Sequence, residues 1–257
     1  MVSKSTLKLV KSLQQKKYRK KYELFLAEGA KIVTEILQSS YSIRTLIATS
    51  VFLNEHRDLI IHAAPRLVEE ASEEVLSRAG SFKNNNAAIA VVSVPDSAEQ
   101  PLATEGYSLL LENVRDPGNL GTILRIADWY GISQLICSPE TTDLYSPKVI
   151  SGSMGSFMRV KVHYTELAGF IDRSNLPVYG TFPDSGTLIY EVNFASSGLI
   201  LLGNESEGIS EALAQRVSER VTIPRFGGAE SLNVGIATAV VCDNLRRSQH
   251  KGFSGVA

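Results

Sequence analysis

Three features of the chain predict an α/β architecture built on a largely parallel sheet. Short apolar runs alternate with segments whose apolar residues recur every three or four positions. Several runs, such as Leu199–Leu202 (LILL), are apolar at consecutive positions, as strands covered on both faces require. The 257 residues are 44% hydrophobic and 21% charged, a balance that excludes a disordered or fibrous chain. This length accommodates one large or two modest domains.

The elements divide at Ser93 to Gly106 (SVPDSAEQPLATEG), which is poor in bulky apolar residues and contains Pro95 and Pro101. It reads as a linker over 95–106, between a first domain at 1–94 and a second at 107–257. In the first domain, Leu24–Leu37 has apolar residues at helical spacing after Glu28-Gly29, namely Ile32, Val33, Ile36 and Leu37. Arg44–Thr49 and Ala87–Val94 read as strands, with a charged helix around Glu69–Arg78 between them. The second domain has candidate strands at Ser108–Glu112, Gln134–Cys137, Met158–Val162, Val178–Thr181, Leu199–Leu202 and Arg220–Ile223. Its candidate helices are Leu120–Tyr130, Thr165–Arg173, Glu211–Val217 and Leu232–Arg247. In such sheets ligands gather beyond the carboxyl ends of the strands.

No apolar run approaches the roughly 18–20 residues that span a bilayer. The polar, basic start is not a signal peptide. Cys137 and Cys242 are far apart and cannot form a disulfide framework, so a reducing cytoplasm is the plain expectation. Net charge is −1, yet Lys4, Lys8, Lys11, Lys16, Lys17, Arg19, Lys20 and Lys21 precede the first acid, Glu23. Such a segment either holds a polyanion or forms a solvated, charged first helix.

Three loops stand out. In Asn113–Asp128 (NVRDPGNLGTILRIAD), Asn119 is placed to cap a helix along which Asn119, Thr122 and Arg125 form an i, i+3 ridge. A helix start, an amide and a guanidinium suit an anionic or hydroxyl-bearing ligand. A capped helix whose Arg125 pairs with Asp128 would use the same residues. In Leu201–Ile209 (LLGNESEGI), a buried strand ends at Gly203, and Glu205 and Glu207 follow. A glycine there permits close approach to the backbone. In Thr222–Val241 (TIPRFGGAESLNVGIATAVV), Ser231 and Asn233 stand at the entrance of a helix rich in small residues. Either loop is equally a polar turn leading into a packed helix.

Other chemistries leave no mark. The chain contains no G-x-G-x-x-G, P-loop, H-E-x-x-H or G-x-S-x-G motif. His56, His62, His163 and His250 are dispersed, without metal-ligand spacing.

Taken in order, DPGNLGTILRIAD, LLGNESEGIS and IPRFGGAESLNVGIATAVV resemble the three motifs of the SpoU-type (TrmH-like) RNA 2'-O-ribose methyltransferases of the SPOUT superfamily. The likeness covers about residues 107–247. The first domain, through KKYRKKYELFLAEGAKIVTEIL and AAIAVVSVP, resembles that family's ribosomal-protein-like substrate-binding module. It departs from the pattern at Asn84-Asn85-Asn86, where relatives often carry a Pro-Gln-Gly-like turn.

The resemblance implies a C-terminal trefoil knot, a homodimer, S-adenosylmethionine as cofactor, no metal, and RNA as substrate. Ribosomal RNA is favoured over tRNA because of the extra domain. A non-catalytic RNA-binding or ribosome-assembly factor is the rival from another class. By motif position the resemblance assigns Asn119, Arg125, Glu205, Ser231 and Asn233 to catalysis, and Thr181, Gly203, Ile223 and Leu232 to the cofactor. A guanidinium orients a hydroxyl better than it abstracts a proton.

Overall fold

The computed structural model describes residues 2–95, 105–204 and 206–249. It divides into two compact units, Met1–Gln100 with Asp143–Gly155, and Pro101–Thr142 with Ser156–Ala257. Residues 96–104, most of the stretch read as a linker, lie outside the described residues, as does Glu205.

The first unit begins with α1 (Lys4–Leu13), whose N-cap Ser3 accepts a hydrogen bond from the Thr6 amide at 3.0 Å. Val10 and Leu13 bury its apolar side. Then come α2 (Lys16–Tyr22), β1 (Leu24–Glu28), α3 (Ala30–Leu37), β2 (Ile43–Ala48), α4 (Ser50–Glu55), α5 (Arg57–Ala63), β3 (Leu67–Glu70), α6 (Glu73–Ala79) and β4 (Ala88–Ser93). The sheet order is β1-β4-β2-β3, with β2 and β3 parallel and the other pairs antiparallel. Leu24, Leu26, Ile47, Leu76, Ile89 and Val91 centre the core that α1 covers.

Two readings of this unit need correction. The charged helix expected at Glu69–Arg78 is a strand to Glu70 and then a helix from Glu73. Ser72 sets the break by accepting from the Val75 amide, with Glu73 and Glu74 favouring the helix's positive end. The second correction is Arg19, counted above among the solvated cations. It is buried at 4% exposure and donates to the carbonyls of Leu13 and Gln14, each at 2.9 Å, and to Asp143 at 2.6 Å. The guanidinium thus closes the α1–α2 turn and anchors the returning segment 143–155. Lys16, Lys17, Lys20 and Lys21 remain exposed. Asn85, in the departing Asn84–Asn86 turn, is also buried and bonds the Ala88 carbonyl and the Ala87 amide.

The second unit contains β5 (Tyr107–Leu111), α7 (Pro117–Trp129), β6 (Gln134–Cys137), β7 (Lys161–Tyr164), α9 (Leu167–Ser174), β8 (Val178–Thr181), β9 (Thr187–Leu188), β10 (Gly198–Leu202), α10 (Glu211–Ala214), β11 (Glu219–Thr222) and α11 (Val234–Gln249); α8 (Pro147–Ser153) belongs to the first unit. The sheet is parallel throughout, in the order β7-β6-β5-β10-β8-β11-β9. Its central strands β5 and β10 are buried at every position. Leu110, Leu199 and Leu201 pack with Phe170 and Leu213 from α9 and α10. The strand expected at Met158–Val162 starts later. Ser156–Met158 forms a 3₁₀ turn, and β7 pairs with β6 from Lys161.

Candidate active site

The strand-to-helix turn after β5 sets the site's first wall. Asn113 has a left-handed backbone (φ +55°), a conformation that asparagine tolerates. Its amide donates to Ser138 Oγ, which in turn donates to Asn113 Oδ1, both at 2.9 Å. Asn119 is not the helix cap. Asp116 takes that place, accepting from the Asn119 amide at 2.9 Å, and Pro117 opens the helix where no N–H is needed. This start is one turn earlier than the apolar spacing alone suggests. It puts Asn119 inside the first turn, with its side chain available for another partner.

That partner is Asn233. Its Nδ2 donates to Asn119 Oδ1 at 2.8 Å, while its Oδ1 accepts from the amides of Gly235 and Ile236 at the start of α11. One side chain thus caps the last helix and joins it to the first loop. Gly235 permits the close approach: a Cβ there would stand 3.1 Å from Thr122 on α7. At the other end of the pair, Arg246 donates to the Tyr130 carbonyl at 2.7 Å, satisfying a helix-terminal acceptor.

The second loop is tied to the first by Asn204, a residue that sequence reasoning did not single out. Its Nδ2 donates to the Asn113 carbonyl at 2.8 Å, and its Oδ1 accepts from the amides of Ser206 and Glu207. Asn204 and Gly208 exchange backbone hydrogen bonds at 3.0 and 2.9 Å. The hairpin explains Gly203: a Cβ there would fall 2.2 Å from the Gly208 carbonyl carbon. Buried Glu112 accepts from the Ser210 amide at 2.8 Å and fixes the hairpin's far end. The one available signal for Asn204 was an amide directly after a buried strand, a common turn residue.

β8, β10 and β11 lie side by side, and their carboxyl ends open into a cleft of about 720 Å³. This is the size range of small-molecule sites. Thr181, Gly203, Ile223 and Leu232 all line it, as does Ser231. Thr181 is steadied by donating to the Leu201 carbonyl at 3.2 Å. Asn119, Asn233 and Arg125 stand outside this lining set. The first two are hydrogen-bonded to each other, and Arg125 is two turns along the α7 ridge, on its exposed side. The Arg125–Asp128 pairing considered above does not form. Asp128 instead accepts from Arg159 Nε at 2.8 Å and Ser156 Oγ at 2.7 Å. Arg125 has no hydrogen-bond or ionic partner among the described residues. Glu205 lies outside them.

The lining combines apolar surfaces from Leu202, Ile209 and Leu232 with main chain at Gly203 and Gly208. That mixture suits an adenine ring and its amide-like edge, as S-adenosylmethionine presents. Among the described residues no cluster of three metal-ligating side chains occurs. Burial pushes the Cys137 and Cys242 thiols up to about 12, so neither is a thiolate near neutrality.

A knitted cleft at the carboxyl end of a parallel sheet, floored by close backbone contacts, defines the class. Residues 106–243 match the SpoU rRNA Methylase family, and residues 4–90 match the MRM3-like substrate binding domain. The chain belongs to the SpoU rRNA methylase family. It is 31% identical to the 23S rRNA (guanosine(2553)-2'-O)-methyltransferase RlmP of Bacillus subtilis, over 92% of this chain and 94% of that one. A TrmH-family protein from Porphyromonas gingivalis superposes with a TM-score of 0.82 at 36% identity, covering 96% and 99% of the two chains. The AdoMet-bound rRNA methyltransferase of Sinorhizobium meliloti gives 0.85 at 28% identity, covering 96% and 97%.

Proposed function

We propose that this protein is an S-adenosylmethionine-dependent methyltransferase acting on a ribose 2'-OH of ribosomal RNA. The observation that carries the reading is a cleft lined by the second and third loops, each of which is tied to the first loop, through Asn204–Asn113 and Asn233–Asn119. Relatives that match along nearly the whole chain, among them the B. subtilis enzyme, are named for this reaction on 23S rRNA. Residues 1–94 take the RNA, and residues 107–257 carry out the transfer.

When bound, S-adenosylmethionine supplies an electrophilic methyl group on a sulfonium. The chain's task is to align a hydroxyl with it and to dispose of one proton; alignment alone lowers barriers by roughly 7–11 kcal/mol in favourable cases. Main chain at Gly203, Ile223 and Leu232, with Thr181 at the border, holds the cofactor. Arg125 donates to the 2'-OH or its neighbouring phosphate and polarises it. A substrate phosphate or water accepts the proton. Asn119 is a positioning residue, held by Asn233, that sets the ridge carrying Arg125. Ser231, Asn233 and Glu205 hold the loops and receive the nucleotide.

The C-terminal segment forms the superfamily's trefoil knot in this reading. The close seating of α11 against α7 at Gly235 and Thr122 supports it. The active form is a homodimer. Trp129 at 84% exposure and Ile236 at 53%, on the paired helices α7 and α11, supply apolar surface for a second copy. The protein acts in the cytoplasm, in keeping with two unpaired thiols and no described helix able to cross a membrane.

Incubation with labelled S-adenosylmethionine and unmodified ribosomal RNA, followed by mapping of 2'-O-methyl marks, tests the proposal. A single ribose mark is the expected result. Label on base atoms, or none in the presence of a bound cofactor, overturns it.

A further inference from the structure

We infer that Phe226 is a stacking platform for the base of the nucleotide being methylated, an inference that rests on the RNA methyl-transfer reading above. Phe226 lines the cleft, yet its side chain is 94% exposed. Isolated exposed apolar residues are common on protein surfaces and need no explanation. The position of this one does. It stands at the rim of the cleft, five residues before Ser231 on the same loop.

The loop is built to present the ring. Arg225 is held back by Asp184 at 3.6 Å and by the Ala229 carbonyl at 3.4 Å. Beyond the ring, Gly227 and Gly228 have open space where a Cβ would stand, so nothing in the described chain packs over them. The other aromatic of the cleft, Phe182, already has the Arg220 guanidinium 4.4 Å from its ring centre. Phe226 has no ring contact among the described residues.

The chemistry determines what meets that ring. The reacting 2'-OH and the base belong to one nucleotide, so delivery of the hydroxyl into the cleft brings the base to its rim. Sequence-specific RNA recognition mostly takes place at loops, bulges and ends, where a base is splayed out of the stack and lacks a stacking partner. A phenyl face at the rim restores a stacking partner. Such stacking is sequence-tolerant because every base offers a π-face. Phe226 therefore contributes affinity for an extruded nucleotide without selecting which base is extruded.

The test uses the full chain, labelled S-adenosylmethionine and unmodified large-subunit ribosomal RNA transcribed in vitro. Phe226→Ala is expected to raise KM for RNA by about ten- to a hundredfold. Its cofactor Kd, read by calorimetry, stays within about twofold. Phe226→Tyr restores most of the loss and Phe226→Leu does not, because leucine fills space without a π-face. Three results overturn the inference: an unchanged KM in Phe226→Ala, equal rescue by leucine and tyrosine, or a matching loss of cofactor affinity. Sedimentation showing that Phe226→Ala splits a dimer also overturns it, by assigning the ring to a second copy. A wild-type chain that binds the cofactor but marks no ribose overturns the underlying reading instead.

Discussion

Arg19 and Arg125 make an instructive pair. Arg19 stands in a run of eight cations that looks made for phosphate, while Arg125 has a carboxylate three residues away and looks made for a local ion pair. The folded chain reverses both roles. Arg19 is enclosed by two carbonyls and Asp143, so its charge is spent on structure. Asp128 is claimed by Arg159 and Ser156, which leaves Arg125 exposed on the α7 ridge. A cation's role follows from which acceptors the fold brings to it, and the nearest acid in sequence is a poor guide.

Substitutions at the two arginines separate these roles. Arg125→Ala is expected to lower kcat by about 10²–10⁴ while cofactor affinity stays within a few-fold, in the range seen when a positioned electrostatic group is removed. Its melting temperature should not move. Single-turnover assays and calorimetry together decide this, and full turnover would remove Arg125 from the chemistry. Gly203→Val is of similar size but opposite kind: the hairpin is forced from Gly208 and cofactor binding is lost. Unchanged binding would mean that the cleft is elsewhere.

Arg19→Ala should cost about 3–5 kcal/mol of stability, because it strands Asp143 and two helix-end carbonyls. Denaturant unfolding of the first unit's signal reads this, and methyl transfer per folded molecule should be preserved. Asn233→Ala sits between the classes. It removes a cap worth about 0.5–2 kcal/mol and also frees Asn119, so both stability and kcat should fall. The smallest effects belong to the exposed lysines. Replacing Lys16, Lys17, Lys20 or Lys21 singly should weaken RNA binding modestly and flatten its salt dependence by about 0.7–0.9 in log–log slope each. If Arg19→Ala flattened that slope while stability held, Arg19 would belong with the phosphate-facing lysines.

The buried thiols supply a pH prediction. Burial raises Cys137 and Cys242 from 9.0 to about 12 in the folded chain. Their contribution to stability is therefore complete below pH 9 and is lost as pH rises toward 12, where only the unfolded chain ionises freely. Alkylation of the native protein at pH 8 should be negligible and should become complete in denaturant, as mass spectrometry would read.

Much of the architecture was legible along the chain. Gln134–Cys137 and Val178–Thr181 can be read at their observed limits, because a short apolar run between turns has few other uses in an α/β sheet. Leu24–Glu28 is harder to read: it passes directly into the α3 spacing, and its role is set by β4 across the sheet. The seven-residue helix α8 gave no usable period, and its segment belongs with the first unit through partners such as Arg19. The cleft-lining residues Thr181, Gly203, Ile223 and Leu232 could be named through the family resemblance, and the first three also stand where a strand ends. Asn204 could not, because an asparagine in a turn looks the same whether it closes its own loop or bonds one 91 residues away.

The sequence by itself determined the α/β class, the parallel core strands and the three segments whose order resembles the family's motifs, since periodicity and turn chemistry are local properties. Only the tertiary structure decided that Arg19 is buried and that Asn233 reaches Asn119 across 114 residues. Those outcomes depend on which polar groups compete for the same partner at hydrogen-bond distance, a competition that exists only once distant segments have been brought together.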